Sequence, residues 1–567
     1  MTDNAFGRRW LLLVVAFLPF VALWSLANPL FASPDETTHM VRAQSISAGK
    51  FDSPFVTDGL PIRAAECIAF QSEVSAACQD LTWDPAGTEY ELPTENYPPF
   101  FHAVAALPAL ITSGIWGAYA MRLWLAILCV VLLAWAGALT TRPGNSPWLL
   151  TGLCLAVVPM GVFTMSTVNP SGLGTAFTAL LVAGLLSLRT TRAGAPEVLG
   201  AISVGLIGMA LVRRDGVIWV LAIALVFAPA LIWQFRPSRD WIPRGRRAVM
   251  SLAAITVVVY MSFWFAGPTI AAFLRNRQEA GGTNPWEATR YIRFYLTQLV
   301  GTFGWLDSPM GEEAFLVAMI VAGFIVILGL GGTDRLAAAS TAIALALLLT
   351  APVAFGMIRF PYLQGRYLLP IWVCLMLVAA KSAALGGLDA ALSRRLTRLL
   401  LGCWLVVHMV GFLQNLRRYA VGRSGSWGSI LGAEWHPPMM PNWVVVALLL
   451  GCSICMIAVI GRLLEQLEPS APILADDSEA AADTTPEGHH LSMYGSSEIG
   501  TPTKMMPIEN SDAAESSLAT AAVFKLVSFP QATFTMLNAS VELEIVSPAS
   551  TLSGGRSHTS GRSADDR

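Results

Sequence analysis

WLLLVVAFLPFVALWSLANPL, Trp10 to Leu30, runs straight into FASPDETTHMVR, Phe31 to Arg42, and this junction decides the fold. The first stretch carries no charge and is long enough for a helix to cross the roughly 30 Å hydrocarbon core of a bilayer. The second gathers Asp35, Glu36, His39 and Arg42 as soon as the apolar run ends. Arg8 and Arg9 precede the run, and short basic flanks stay on the cytoplasmic side, so the acidic segment is expected outside. Asn28 to Ser33 offers no clear small-x-small cleavage site, so the run reads as an uncleaved first crossing.

The rest of the chain repeats the pattern. Of its 567 residues 54% are hydrophobic and 13% charged. Soluble domains carry about 25% charged residues, which excludes a water-soluble globular enzyme. Twelve segments are long and apolar enough to cross, within an expected range of 11 to 13: about 10–30, 121–140, 147–165, 171–188, 197–212, 217–234, 248–266, 314–331, 336–355, 367–383, 397–414 and 442–461. The fold class is therefore an all-α polytopic membrane protein. Pro98 to Trp116 is broken by Pro108 and carries His102. Counted as a crossing, it would move three clusters to the outer face: Arg189/Arg192, Arg236/Arg239/Arg244/Arg246/Arg247 and Arg394/Arg395/Arg398. Read as an interfacial helix, 99–116, it leaves all three and both termini inside.

Charge is segregated. Residues 31–98 hold 11 acids and 3 bases, 99–461 hold 25 bases and 11 acids, and 462–567 hold 15 acids and 6 bases. The arginines are scattered between apolar blocks, so nucleic acid is excluded as a partner. The domains expected are a membrane body, 1–461, with large extracytoplasmic loops at 31–98 and 267–313, and an acidic cytoplasmic tail, 462–567. The tail's Ser, Thr, Ala, Asp and Glu predict disorder, with 522–546 a candidate for docking on a protein partner. Cys67 and Cys78 fall in the first outer loop, where an oxidising compartment permits a disulfide; two free thiols are the alternative. The other six cysteines lie in apolar segments and read as small buried residues.

The strongest chemical signal is Ser33 to Arg42. A helix starting near Ser33 puts Asp35, His39 and Arg42 on one face at the membrane surface. A carboxylate can take a proton from an acceptor hydroxyl while cations neutralise a leaving phosphate. The plainer reading is a capped surface helix with an internal ion pair. Three further segments share the outer face under the same topology: NYPPFFH (Asn96–His102), GTFGWLDSP (Gly301–Pro309) and RFPYLQGRYLLP (Arg359–Pro370).

Together, Pro-Asp-Glu-x-x-His at 34–39, Arg-Ala-x-x-Ile-Ser-x-Gly at 42–49, Tyr-Pro-Pro, Gly-Trp-Leu-Asp and Gln-Gly-Arg-Tyr-Leu-Leu-Pro resemble a family of bacterial membrane proteins of unknown function. That family is similar to the GT-C superfamily of integral-membrane glycosyltransferases. The resemblance spans roughly residues 10 to 460 and leaves out the tail. It implies a GT-C-like fold in the bacterial inner membrane, with a polyprenyl-phosphate sugar as donor and a cell-envelope glycan, lipid or protein as acceptor. Catalytic roles then fall to Asp35 as general base and Glu36 as a second acid. Arg366 is expected to hold the donor phosphate, with Arg213 and Arg214 as alternatives. His39, Arg42, Tyr97, His102, Trp305, Asp307, Gln364 and Tyr367 are expected to line the site. No metal ligands are assigned, and a divalent cation is the one cofactor left open. One departure stands out: Asn169-Pro170-Ser171 lacks the acid that GT-C enzymes often carry where the third crossing emerges.

The expected activity is transfer with inversion, because one base and no paired carboxylate nucleophile implies a single displacement. The rivals are a transporter or flippase of lipid-linked sugars, and an inactive assembly scaffold. Transporters place ionisable groups at mid-membrane and show internal repeats, neither of which is evident here.

Overall fold

A computed structural model describes residues 3–57, 59–82, 88–90, 97–188, 196–234, 285–359, 363–386, 388–438 and 440–467. All belong to one compact unit, Met1–Pro469. The expected crossing at 248–266, the clusters around Arg189 and Arg236, and the tail beyond 467 lie outside them.

Sixteen α-helices are described: α1 (Asp3–Ala27), α2 (Glu36–Ser47), α3 (Pro99–Ala106), α4 (Gly114–Thr140), α5 (Pro147–Ala156), α6 (Pro159–Met165), α7 (Pro170–Ser187), α8 (Pro196–Val212), α9 (Gly216–Gln234), α10 (Pro285–Ala288), α11 (Tyr291–Gly301), α12 (Glu312–Leu330), α13 (Arg335–Arg359), α14 (Leu369–Ala384), α15 (Ala390–Val421) and α16 (Asn442–Gln466). Eight of the described helices are long and apolar enough to cross a membrane, nine if the α5–α6 pair is one broken span. Every expected crossing within the described residues coincides with a helix, although α8 and the apolar part of α9 are shorter than a full span. The last helix runs to Gln466.

Proline sets several boundaries. Pro147, Pro159 and Pro170 each occupy the first helical position, where a missing N–H is harmless. Pro159 also forces Val158 into extended backbone, so α5 and α6 meet at a 65° bend. Asn169 caps α7, its side chain accepting from Ser171 N at 3.0 Å.

α7 and α14 are central, with 89% and 83% of their spanning windows buried in protein. α14 packs on α5, α7, α12 and α13. Two glycines allow that: a Cβ at Gly152 would lie 2.3 Å from the Ala380 Cβ, and one at Gly329 2.8 Å from the Ala379 Cα. Small residues let backbones approach where apolar lipid gives helices little drive to associate.

The segment expected as one interfacial helix over 99–116 is shorter and hinged. α3 ends at Ala106, a 3-10 turn holds Pro108, and α4 already starts at Gly114. Eight residues at about 1.5 Å each are far too short to cross, and α3 packs instead on α2 and α4. Two small antiparallel ladders are also present. β1 (Phe55–Thr57) pairs with β2 (Thr88–Tyr90), and β3 (Thr302–Phe303) with β4 (Ser308–Pro309). Cys67 and Cys78 are joined in a disulfide.

Candidate functional site

The turn between α1 and α2 is the pivot. Asp35 precedes α2 in left-handed backbone, φ 65°, which strains a residue with a Cβ. Its side chain makes no cap hydrogen bond and remains 47% exposed, its carboxylate meeting the Arg366 guanidinium. Arg366 comes from the 3-10 turn leading into α14 and is itself 3% exposed. It also donates to the Pro34 carbonyl at 3.3 Å. A buried cation is thus held with its head against a half-open carboxylate.

Arg366 does not stand alone. The Tyr367 ring lies 5.7 Å from its guanidinium and 4.4 Å from that of Arg213. Arg213, between α8 and α9, donates to Asp215 at 2.7 Å and to the Ser171 hydroxyl at 2.8 Å. The Asn169-Pro170-Ser171 corner therefore serves the site with a hydroxyl and a cap instead of an acid. Asn169 also reaches the Ser33 hydroxyl at 3.4 Å. Of the three arginines expected for phosphate, Arg366 and Arg213 share this cluster, whereas Arg214 is half-buried beside it. Gln364 is partly buried, two residues before Arg366, and its Oε1 lacks a hydrogen-bond partner among the described residues.

α2 and α3 supply the second wall. His39 Nδ1 and His102 Nε2 lie 3.0 Å apart, so one ring must hold the shared proton. Both rings are buried. Burial, followed by the charges of Arg366, Arg213 and Arg42, holds His39 well below 6.5. Burial, then His39 and Arg42, does the same to His102. Tyr97 stacks edge-on against His39 at 5.5 Å, and burial pushes its phenol upward. Arg42 donates to the Tyr97 carbonyl at 2.9 Å, pinning the loop to α2.

Two expected site residues do something else. Glu36 is fully buried, and Arg122 of α4 engages both of its oxygens, at 2.7 and 2.6 Å. The Val168 N–H adds a third bond at 3.0 Å. Arg122 also donates to the carbonyls of Asn28 and Pro29, each at 2.7 Å. No face of Glu36 is open to an acceptor or cation, which corrects its expected role as a second catalytic acid. Asp307 is likewise occupied. Arg418 of α15, fully buried, pairs with it at 3.0 Å and donates to the Ile68 and Val74 carbonyls at 2.7 and 2.8 Å. Arg418 thus ties both Asp307 and the disulfide-bearing loop to α15. Trp305 donates to the Phe31 carbonyl at 3.0 Å, so it braces the turn that carries Asp35.

Sequence reasoning missed Arg122, Asp215, Ser171 and Arg418. The signal for Arg122 was available: one charge inside the apolar run Gly114–Thr140, where ionisable residues are costly and rarely idle. Asp215 was readable as the acid beside Arg213–Arg214. No group of three or more His, Cys, Asp or Glu among the described residues is placed to hold a metal ion.

Residues 18–375, more than half of the chain, match the family described as predicted membrane protein (DUF2142), and the chain belongs to that family. No curated protein matches it. Among solved structures it is similar to ArnT from Cupriavidus metallidurans in the apo state, at 16% identity and a TM-score of 0.42. The same protein bound to undecaprenyl phosphate gives 16% and 0.40, each match covering 81% of this chain and 74% of that one.

Proposed function

We propose that this chain is a GT-C-like glycosyltransferase of the bacterial inner membrane. It would take a sugar from a polyprenyl-phosphate donor and pass it to a cell-envelope acceptor on the outer face. Both termini would lie in the cytoplasm. The observation that carries the reading is the Asp35–Arg366 pair, in which a buried guanidinium meets a half-exposed carboxylate.

The two groups match the two charges that a single displacement must handle. The acceptor hydroxyl loses a proton, which Asp35 takes as the new C–O bond forms at the anomeric carbon. The bond to the donor phosphate breaks on the opposite side, and the electron pair leaves with the phosphate oxygen. Arg366, with Arg213 across the Tyr367 ring, offers planar donors to that phosphate. In the resting site Asp35 itself fills the anion position on Arg366. An arriving phosphate displaces it, so donor binding and release of the base are one event. His39 and His102 contribute a neutral, rigid wall, and the fixed cations need no reorganisation as charge develops.

The test supplies proteoliposomes with a labelled polyprenyl-phosphate sugar and an envelope extract as acceptor. Label leaving the lipid for acceptor, in wild type and not in Asp35→Asn, supports transfer. Label that stays on the lipid while changing leaflet overturns it in favour of a flippase.

A further inference from the structure

A cleft of about 650 Å³ is walled by α1, α4, α5, α6, α15 and α16. Phe17, Phe20, Leu405, Met409, Met456 and Ile460 give it an apolar lining. The broken span explains why it exists. Residues on both sides of the bend, Cys154, Val157 and Val162, line it, and the wall there does not run straight. Trp404 and His408 donate to the Val157 carbonyl at 3.0 and 2.8 Å, satisfying the acceptor that the break exposes.

Two glycines in the lining are informative. Gly402 and Gly461 sit inside α15 and α16, and a Cβ at either would meet nothing within 4 Å. Mid-helix glycine costs about 1 kcal/mol relative to alanine. Glycines in membrane helices usually repay this by close helix contact. Here neither glycine is at a contact, so both leave volume in the cleft.

The charged groups sit at one end. Arg398 and Glu465 line the mouth. Exposed Arg394, Arg395 and Arg462 belong to the same two helix ends, where arginines outnumber Asp389 and Glu465. Arg398 is 20 residues before Arg418 on α15, and at about 1.5 Å per residue that separation is roughly 30 Å, one hydrocarbon thickness. Arg418 belongs to the chamber side, so the mouth opens at the opposite leaflet. Basic clusters at such positions attract anionic headgroups.

We propose that the cleft is a binding site for one anionic phospholipid of the leaflet opposite the Asp35 chamber. Its acyl chain lies along Leu405, Gly402 and Met456, and its phosphate sits among the arginines at the mouth. The site is independent of the transferase reading. The test uses the full chain in nanodiscs containing phosphatidylglycerol and phosphatidylcholine, each in turn with brominated chains. Native mass spectrometry reports retained lipid, and quenching at Trp404 is read as wild type minus Trp404→Phe. One phosphatidylglycerol should remain per chain, preferred over phosphatidylcholine roughly five- to tenfold. Gly402→Leu with Gly461→Leu should lose it, while Arg398→Gln should keep a lipid and lose the preference. The proposal is overturned by wild type holding both phospholipids equally, holding none, or holding a polyprenyl lipid there. Equal retention by the filled double variant also overturns it. Should that variant fail to fold, the wild-type quenching comparison decides alone.

Discussion

Asp35 and Glu36 are chain neighbours with the same functional group, and each meets an arginine from a distant helix. Their surroundings are opposite. Asp35 is 47% exposed against Arg366, whereas Glu36 and Arg122 are both fully buried and between them engage four further backbone groups. The Asp307–Arg418 pair resembles the second case. A satisfied, closed ion pair has no capacity left for a substrate and serves to fix geometry. A pair with one open face can exchange its partner for a ligand. Exposure, more than chemistry, separates the chamber from its buttresses.

The largest effect expected from breaking the contrast is on activity. Asp35→Asn should lower transfer by about 10²–10⁴-fold, the range of a lost general base, with little change in melting temperature. Arg122→Ala should do the reverse, removing about 3–5 kcal/mol of stability by leaving the Glu36 charge buried and unpaired, as thermal melts in detergent would register. Replacing Cys67 and Cys78 by serine should cost about 2–4 kcal/mol through the 11-residue separation they close, and should loosen the loop that Arg418 holds.

The smallest effect sharpens the contrast by pH. His39 and His102 are held well below 6.5 in the folded protein, chiefly by burial. Above about pH 6.5 they are neutral folded or unfolded and contribute no pH dependence. Below it the unfolded chain takes up protons that the folded one refuses. Stability should therefore fall as pH drops, by up to about 1.4 kcal/mol per unit for each ring. Melting curves between pH 7.5 and 5 on wild type and on the His39→Gln, His102→Gln double variant measure it, and the variant should show a flatter slope.

Much of this was legible beforehand. Runs such as Trp10–Leu30 and Val444–Ile460 need only length and hydropathy to read as crossings, and the described helices follow them. Asp35 and Arg366 were readable because both stand at the ends of such runs, on one face. The partner of Glu36 was not, since Arg122 lies 86 residues away and only packing brings it there. The plainer reading of a capped helix paired it instead with Arg42, which the structure turns toward Tyr97. Adjacent positions on a helix face different directions, so a motif of two acids conceals two roles until the neighbours of each are known.

The most direct measurement is the affinity of a sugar-free polyprenyl phosphate for wild type, Arg366→Ala and Asp35→Asn, with transfer assayed on the same preparations. If Asp35 occupies the phosphate position on Arg366, Arg366→Ala binds at least about tenfold more weakly, since lost charge-assisted hydrogen bonds exceed 1.4 kcal/mol. Asp35→Asn binds more tightly than wild type while its transfer falls by about 10²–10⁴-fold. Weaker binding by Asp35→Asn, or transfer at the wild-type rate, would contradict the account.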